Sequence, residues 1–147
     1  MRPPTRPVAT AYSLTLEDAP DQRDLALLED RVNEAAVAAA GLGDMAEFGI
    51  FVRDRGRLLA GISALVWGGC CELQAMWVDP ALRGRGVARE LIAGAEIEAR
   101  RRGCTLVVLL AYDLLTRGLY ERLGYEVLAV VEDWPAGSTA RLFRKTL

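Results

Sequence analysis

The strongest constraint on the fold is the order of elements over residues 70–111. Residues 70–78 read as a strand, residues 79–86 as a glycine-rich turn, and residues 87–102 carry one apolar stripe at helical spacing. The unbroken apolar run over residues 105–111 is typical of a strand buried on both faces. A strand, a helix and a second parallel strand make a right-handed crossover. The segment therefore predicts a parallel strand pair with a helix across one face.

Antiparallel elements precede and follow this crossover. Residues 46–78 predict a meander of three strands, with turns at residues 54–57 and 68–69. Asp21 is the predicted N-cap of a helix whose apolar residues recur from Leu25 to Ala39. The remaining predicted elements are a strand over residues 10–17, a helix over residues 114–123, and strands over residues 125–131 and 140–146.

Length and charge limit the classes of protein to consider. The chain has 147 residues, which predicts one domain. The 18 basic and 20 acidic residues give a net charge of −2, which argues against a nucleic-acid binder. We expect a flexible lead-in over residues 1–9 and a single α+β domain over residues 10–147, built on a mixed sheet of about seven strands.

The sequence contains no histidine, which excludes Ser-His-Asp triads and His-ligated zinc. No metal site is predicted. Cys70, Cys71 and Cys104 are too few for a four-cysteine site, and an odd count does not indicate a disulfide framework. We interpret them as small buried hydrophobes rather than acyl carriers. Because residues 1–6 lack a secretory apolar region and no run reaches the length of a membrane helix, we expect a cytoplasmic protein without membrane contact.

The turn over residues 79–86 has the chemistry of an anion site. Gly84 and Gly86 open a helix whose first backbone N–H groups have no internal partner, and Arg83 and Arg85 add positive charge. A P-loop is absent, and the dinucleotide fingerprint fails because Arg89 stands where its third glycine belongs. A third pattern, Arg-x-x-Gly-x-Ala, fits residues 83–88. The alternative is a glycine-rich helix start with solvated arginines.

Two motifs together identify a family. Residues 77–88 read WVDPALRGRGVA, and residues 119–126 read LYERLGYE. In sequence and spacing they resemble the signatures of the GNAT superfamily of acyl-CoA-dependent N-acetyltransferases, along residues 10–147. The resemblance implies a mostly antiparallel sheet with a β-α-β core that binds acetyl-CoA, and a strand pair that splays apart to admit the pantetheine arm. It leaves a homodimer open.

The resemblance also implies roles for individual residues. It assigns the pyrophosphate to backbone amides of the turn and the pantetheine arm to the strand before it, and Tyr120 matches the family's general acid. Asp113 departs from an asparagine that is frequent in the family, so we expect its carboxylate to point away from the donor. Ser138 stands where a small bacterial subgroup often has histidine. The implied cofactor-binding residues are Met76, Trp77, Val78, Arg83, Gly84, Arg85, Gly86, Val87, Ala88 and Tyr120.

The catalytic candidates follow from the needs of acyl transfer to an amine. Tyr120, with an ordinary pKa of about 10, holds a proton at neutral pH and can give it to a departing thiolate; the alternative is a core aromatic. Glu72 precedes Met76 by four residues, so we expect both on one face and Glu72 as a base acting through water. Asp133 and water alone are the other candidate bases. A backbone N–H near Met76 can polarise the thioester carbonyl.

The sequence thus favours an acetyl-CoA-dependent N-acetyltransferase that transfers directly to a small primary amine in a ternary complex. One rival is a module that binds acyl-CoA without catalysis. Another is a phosphate-binding domain with unrelated chemistry. The carboxylates of Glu72 and Asp133, with no large aromatic cluster expected beside them, favour a cationic or polar amine.

Overall fold

The computed structural model describes residues 12–147. Four helices lie in this part of the chain: α1 (Gln22–Ala40), α2 (Val87–Arg101), α3 (Asp113–Thr116) and α4 (Leu119–Arg122), with a 3₁₀ turn at Pro80–Leu82. Its six strands are β1 (Ala46–Asp54), β2 (Arg57–Trp67), β3 (Cys70–Val78), β4 (Leu106–Tyr112), β5 (Glu126–Glu132) and β6 (Thr139–Thr146).

The described residues divide into two compact units, one over residues 12–36 and the other over Val37–Leu147. In the first unit, Asp21 Oδ1 accepts a hydrogen bond of 2.8 Å from the Arg23 N–H, which confirms Asp21 as the N-cap of α1. The predicted strand over residues 10–17 is wrong over its described part, because residues 12–17 pair with no strand of residues 12–147. The lead-in over residues 1–9 lies outside the described residues, and the boundary at residue 10 stays a prediction.

The sheet belongs to the second unit and has the order β1-β2-β3-β4-β6-β5. Only β3 and β4 run parallel, and every other neighbouring pair is antiparallel. The predicted meander and the predicted crossover through α2 are therefore both confirmed. Within residues 12–147 the sheet has six strands, close to the expected number.

Helix α2 packs its apolar stripe onto one face of the sheet, which we call the core face. Its buried residues include Leu91, Ile92, Ala95 and Ala99, as the periodicity predicted. A fully buried aliphatic side chain of this kind stabilises the fold by roughly 1.5–3 kcal/mol. The strands meet α2 with their own buried residues, among them Ile62, Cys71, Leu73, Val107, Leu109, Ala111 and Phe143.

The predicted helix over residues 114–123 is instead two short helices, α3 and α4. Gly118 lies between them with φ 70°, in the left-handed region that glycine adopts without strain. The interruption turns the chain, so that Leu119 and Tyr120 of the second piece pack against or belong to the core.

No helix within residues 12–147 combines the length and the apolar character that crossing a membrane requires.

Candidate active site

A gap in the sheet opens between β3 and β4. The two strands pair only from Cys70 to Glu72 on β3 and from Leu106 to Val108 on β4. Beyond that point the two strands no longer pair with each other, which confirms the splayed strands that the family resemblance implied. The gap is a cleft of ≈ 510 Å³ lined by residues of β3, β4, α3 and α4 together with Arg83 and Ala88.

A β-bulge at Gln74 accompanies the splay. On β2, Ser63 lies opposite Ala75 and Ala64 lies opposite Leu73, so Gln74 is an extra residue on β3. A bulge bends its strand and increases the local twist. Because the bulge lies just beyond Glu72, it bends β3 where its pairing with β4 ends.

The same bulge inverts the alternation of β3. Leu73 before it and Met76 after it both belong to or pack against the core, whereas Glu72 and Trp77 are exposed. The expectation that Glu72 shares a face with Met76 is therefore wrong, because the extra residue Gln74 shifts the period by one. Glu72 lies on the opposite face of the sheet, which we call the open face.

The peptide groups of Met76 and Val78 point into the gap. The Asp79 N–H donates to the Leu59 carbonyl at 2.8 Å, which makes this a hydrogen-bonded pair of the β2–β3 ladder. Bonded and non-bonded pairs alternate along an antiparallel ladder. The peptide groups of Trp77 therefore bond to β2, whereas those of Met76 and Val78 face β4. The Val78 carbonyl accepts a hydrogen bond of 3.1 Å from Arg83 Nε. The Met76 N–H thus remains directed at the cleft.

The glycine-rich turn joins the open end of this gap to α2. Asp79 holds the 3₁₀ turn by accepting from the Ala81 N–H at 2.9 Å. Gly84 and Gly86 adopt φ 74° and 81°, and no heavy atom lies within 4 Å of a Cβ built on either one. Gly86 is the N-cap of α2 and supplies no side-chain hydrogen bond. The first amides of α2 are therefore available to an anion.

Tyr120 lies on the core face of the cleft, where α4 holds it. It is 4% exposed and still lines the cleft. Its ring packs edge-on against Tyr125 at 5.4 Å between centroids and tilted against Phe143 at 5.4 Å. Burial raises the pKa of Tyr120 to about 12, because the charged phenolate loses its hydration there. The phenol therefore keeps its proton at neutral pH.

Asp113 does not reach toward the donor side of the cleft. Its carboxylate accepts from Arg141 Nε at 2.9 Å and 3.1 Å, which ties the start of α3 to β6. The expectation that Asp113 points away from the donor agrees with this pair. Asp113 carries a negative charge that an asparagine would not carry, and the neighbouring Arg141 offsets this charge.

Asp133 closes the turn between β5 and β6. Its Oδ1 accepts from the Gly137 N–H at 3.1 Å, and the Ser138 N–H donates to the Pro135 carbonyl at 2.8 Å. The carboxylate of Asp133 is thus engaged in shaping its own turn. Both candidate carboxylate bases are exposed, and of the two Glu72 lies on a strand that borders the gap.

The expectation of no large aromatic cluster is wrong. Tyr112, at the end of β4, lines the cleft, and Trp134 of the β5–β6 turn packs edge-on against it at 5.8 Å between centroids. Trp77 lines the cleft from β3. Sequence reasoning missed this group because its members are up to 57 positions apart, and only the sheet brings them together. The one available signal was an aromatic residue at the end of each strand of the parallel pair.

The three cysteines are free, and Cys71 and Cys104 are buried. Burial raises the pKa of all three thiols, that of Cys71 to about 12. A protonated thiol is a poor nucleophile. Their interpretation as small buried groups is therefore confirmed for Cys71 and Cys104, while Cys70 is half-buried.

Comparisons with known proteins agree with this geometry. The profile of the acetyltransferase (GNAT) family matches residues 9–125. Blasticidin-S acetyltransferase of Streptomyces morookaense is 36% identical over 95 residues, which make up 64% of this chain and 70% of that protein. An acetyltransferase from Agrobacterium tumefaciens, solved by crystallography, matches with TM-score 0.81 and 25% identity over 92% of this chain and 100% of that one.

A structure of aminoglycoside 6′-N-acetyltransferase complexed with coenzyme A shares the fold. It matches with TM-score 0.59 and 18% identity, over 87% of this chain and 95% of that one. The expected α+β fold with flanking helices is confirmed by these structures. Since the family profile spans most of the chain, including the glycine-rich turn and Tyr120, the chain belongs to the acetyltransferase (GNAT) family.

Proposed function

We propose that this acetyltransferase moves the acetyl group of acetyl-CoA directly to a small primary amine within a ternary complex. The observation that carries the proposal is the cleft itself. Unpaired peptide groups on β3, the glycine-rich turn at its open end and the buried Tyr120 all border it. Each supplies one requirement of acyl transfer, so a single bound donor can meet all three.

The donor side of the cleft fits coenzyme A. The amides of Arg83 through Ala88 bind its pyrophosphate, where the two left-handed glycines leave open space for the phosphates. The peptide groups of Met76 and Val78 pair with the amides of the pantetheine arm as a neighbouring strand would. The thioester then lies beside Met76, whose N–H polarises the carbonyl as negative charge develops on its oxygen. Trp77 is not proposed to bind the donor, because its peptide groups bond to β2 and its side chain lies on the open face.

The reaction exchanges one bond for another. The neutral amine nitrogen attacks the thioester carbonyl carbon, a C–N bond forms, and the C–S bond breaks. Tyr120 gives its phenolic proton to the departing sulfur, for which a pKa near 12 keeps the proton in place at neutral pH. Water returns the proton to Tyr120. Holding both reactants in attack geometry contributes roughly 7–11 kcal/mol to lowering the barrier.

The acceptor must lose a proton before attack and a second proton afterwards. Glu72 is the proposed base and acts through a water molecule, because its exposed carboxylate lies on the open face where pairing of β3 and β4 ends. Asp133 is the weaker candidate, since its carboxylate accepts the Gly137 N–H. Direct transfer needs no acyl-cysteine, in keeping with the raised pKa of Cys71.

The acceptor is proposed to be a small molecule with a cationic or polar amine. The relative from Streptomyces morookaense is named for acetylation of the antibiotic blasticidin S. A carboxylate base close to the gap attracts a protonated amine and repels a carboxylate at the reacting end. We keep the expectation of a cytoplasmic setting, which three free cysteines suit, and leave a homodimer open.

Two measurements test this function. Calorimetry with CoA, acetyl-CoA and NAD should show binding of the first two only, and binding of NAD alone would support unrelated phosphate chemistry. Release of CoA thiol should then be followed with acetyl-CoA and a panel of primary amines. Turnover of any amine supports the acetyltransferase. Tight acetyl-CoA binding without turnover of any amine would favour the non-catalytic acyl-CoA-binding module.

A further inference from the structure

A row of aromatic side chains crosses the open face of the sheet at the level of the gap. Phe51 on β1 lies opposite Gly61 on β2, and Gly61 lies opposite Trp77 on β3. Gly61 carries no side chain, and the Phe51 ring fills the space that a Cβ there would take. The row therefore ends at Trp77, which is 46% exposed and lines one side of the gap.

The other side of the gap carries a matching aromatic group. Tyr112 is the last residue of β4 and lies opposite Ala140 on β6. Trp134 packs edge-on against its ring and is itself 44% exposed. The β5–β6 turn thus supports Tyr112 through its contact with Trp134, while Tyr112 borders the cleft.

Trp77 and Tyr112 form two aromatic walls, one on each side of the gap. Both walls lie on the face of the sheet opposite the donor groups. Met76 and Val78, on either side of Trp77, pack against the core, and Ala111 before Tyr112 is buried in it. Side chains alternate along a strand, so Trp77 and Tyr112 project to the open face. Helix α2 and Tyr120 occupy the core face. An acceptor that meets the thioester must therefore pass between the two aromatic walls.

The same face holds a carboxylate at the closed end of the gap. Glu72 lies beside Val108 in the last parallel pair, and Val108 shares its face with Tyr112 four residues on. The open face thus presents a negative charge where the strands meet and aromatic rings where they part. A ligand complementary to this arrangement has an amine at one end and a flat, weakly polar body at the other.

We infer that the acceptor is a primary amine joined by a short aliphatic chain to a planar unsaturated ring, which packs between Trp77 and Tyr112. This inference rests on the proposed function and adds the class of acceptor. Contacts between aromatic rings contribute about 0.5–1.5 kcal/mol beyond the area they bury. Each wall therefore favours an aromatic acceptor over a saturated one by about 2- to 12-fold.

A matched pair of acceptors isolates that preference. 2-Phenylethylamine and 2-cyclohexylethylamine carry the same primary amine on the same two-carbon chain, and they differ in whether the ring is flat and unsaturated. With acetyl-CoA saturating, we expect kcat/KM for 2-phenylethylamine to exceed that for 2-cyclohexylethylamine by about 10-fold, mainly through KM. Equal values would overturn the inference while leaving the acetyltransferase intact.

Variants locate the preference in the two walls. Tyr112→Leu and Trp77→Leu should each bring the ratio of the two acceptors toward one, and Tyr112→Leu should leave the KM for acetyl-CoA unchanged. Tyr112→Phe keeps the ring and should keep the ratio. Phe51→Leu is the matched control, since Phe51 belongs to the same row but lies two strands from the gap. A ratio that survives both leucine substitutions at the gap would contradict the assignment of the walls.

The outcomes separate the two proposals. If CoA thiol is released with aliphatic amines but neither ring compound is a substrate, the acceptor class is wrong and the acetyltransferase stands. If no primary amine of the panel releases CoA thiol, the proposed function fails and the acceptor class fails with it. A folded Tyr112→Leu protein is identified by its unchanged affinity for CoA in calorimetry.

Discussion

Lys145 Nζ lies 2.9 Å from Glu96 Oε1 and 3.0 Å from its Oε2, joining the end of β6 to the middle of α2. The Tyr125 hydroxyl donates to the same carboxylate at 3.0 Å, and Lys145 also donates to the Leu123 carbonyl at 2.8 Å. Glu96 is only 8% exposed. The Glu96 carboxylate thus has two side-chain partners, Lys145 and Tyr125, and the Tyr125 ring also packs against Tyr120.

Removing the lysine should therefore destabilise the fold strongly. Lys145→Met leaves the Glu96 carboxylate buried without its cation, and breaking a buried pair in this way costs about 3–5 kcal/mol. Urea unfolding measures the loss. Arg144→Met is the control on the same strand, since its pair with Glu126 is exposed and should be worth less than about 1 kcal/mol. Equal losses for the two variants would contradict the buried pair.

The double variant Glu96→Leu with Lys145→Met should recover much of the lost stability. Replacing both partners of a buried pair by apolar groups removes the unpaired charge together with its desolvation cost. A double variant as unstable as Lys145→Met alone would contradict an unpaired charge as the cause of the loss.

The proposed role of the glycine-rich turn can be tested at Gly86. Gly86→Val should weaken CoA binding, because its side chain would enter the space above the amides of α2 while φ 81° strains any L residue. Gly43→Val is a matched control with φ 84° and equally open surroundings in another loop. We expect calorimetry to show similar stability in both proteins and reduced CoA affinity in Gly86→Val only. Unchanged affinity in a folded Gly86→Val protein would rule out the turn as the pyrophosphate site.

Arg83 should matter less than the amides beside it. Its Nε is bound to the Val78 carbonyl, so the side chain secures the end of β3 as well as adding positive charge. Arg83→Ala should weaken CoA binding by about 1 kcal/mol, the scale of an exposed charge, or roughly 5-fold in the dissociation constant. A loss as large as that of Gly86→Val would contradict this order.

The raised pKa of Tyr120 predicts a loss of stability in alkali. Unfolding returns the phenol from a pKa of about 12 toward its ordinary 10.0, so the unfolded chain releases its proton first and becomes favoured as pH rises past 10. The contribution of the protonated phenol to the free energy of unfolding is complete below pH 10 and is smaller by about 1 kcal/mol at pH 11. Urea unfolding at pH 8 and pH 11 should show this extra loss in the wild type but not in Tyr120→Phe. Equal losses in both would contradict the burial of the phenol.

Much of the fold follows from the sequence because several of its elements carry local signals. The apolar stripe of α2, the Asp21 cap and the glycines of the turn each act within a few residues. The bulge at Gln74 carries no such signal, since a polar residue on a strand looks like an ordinary solvent-facing position. That one residue reversed the face expected for Glu72.

The site was predictable in part for the same reason. The glycine-rich turn and Tyr120 lie in continuous motifs, so a resemblance could locate them. The aromatic walls join Trp77 to Tyr112 across strands, and the Glu96–Lys145 pair joins residues 49 positions apart. Such contacts depend on register and helix packing, which no local pattern in the sequence specifies.

In the proposed reaction the Tyr120 hydroxyl delivers a proton to the leaving thiolate, and Tyr120→Phe removes that hydroxyl. The substitution removes one oxygen and keeps the ring contacts with Tyr125 and Phe143, while Tyr125→Phe makes the same change outside the cleft as a control. We predict that kcat for acetyl transfer falls about 10²- to 10⁴-fold in Tyr120→Phe, with CoA affinity unchanged, and stays near wild type in Tyr125→Phe. Full activity in a folded Tyr120→Phe protein would show that the proton comes from another group.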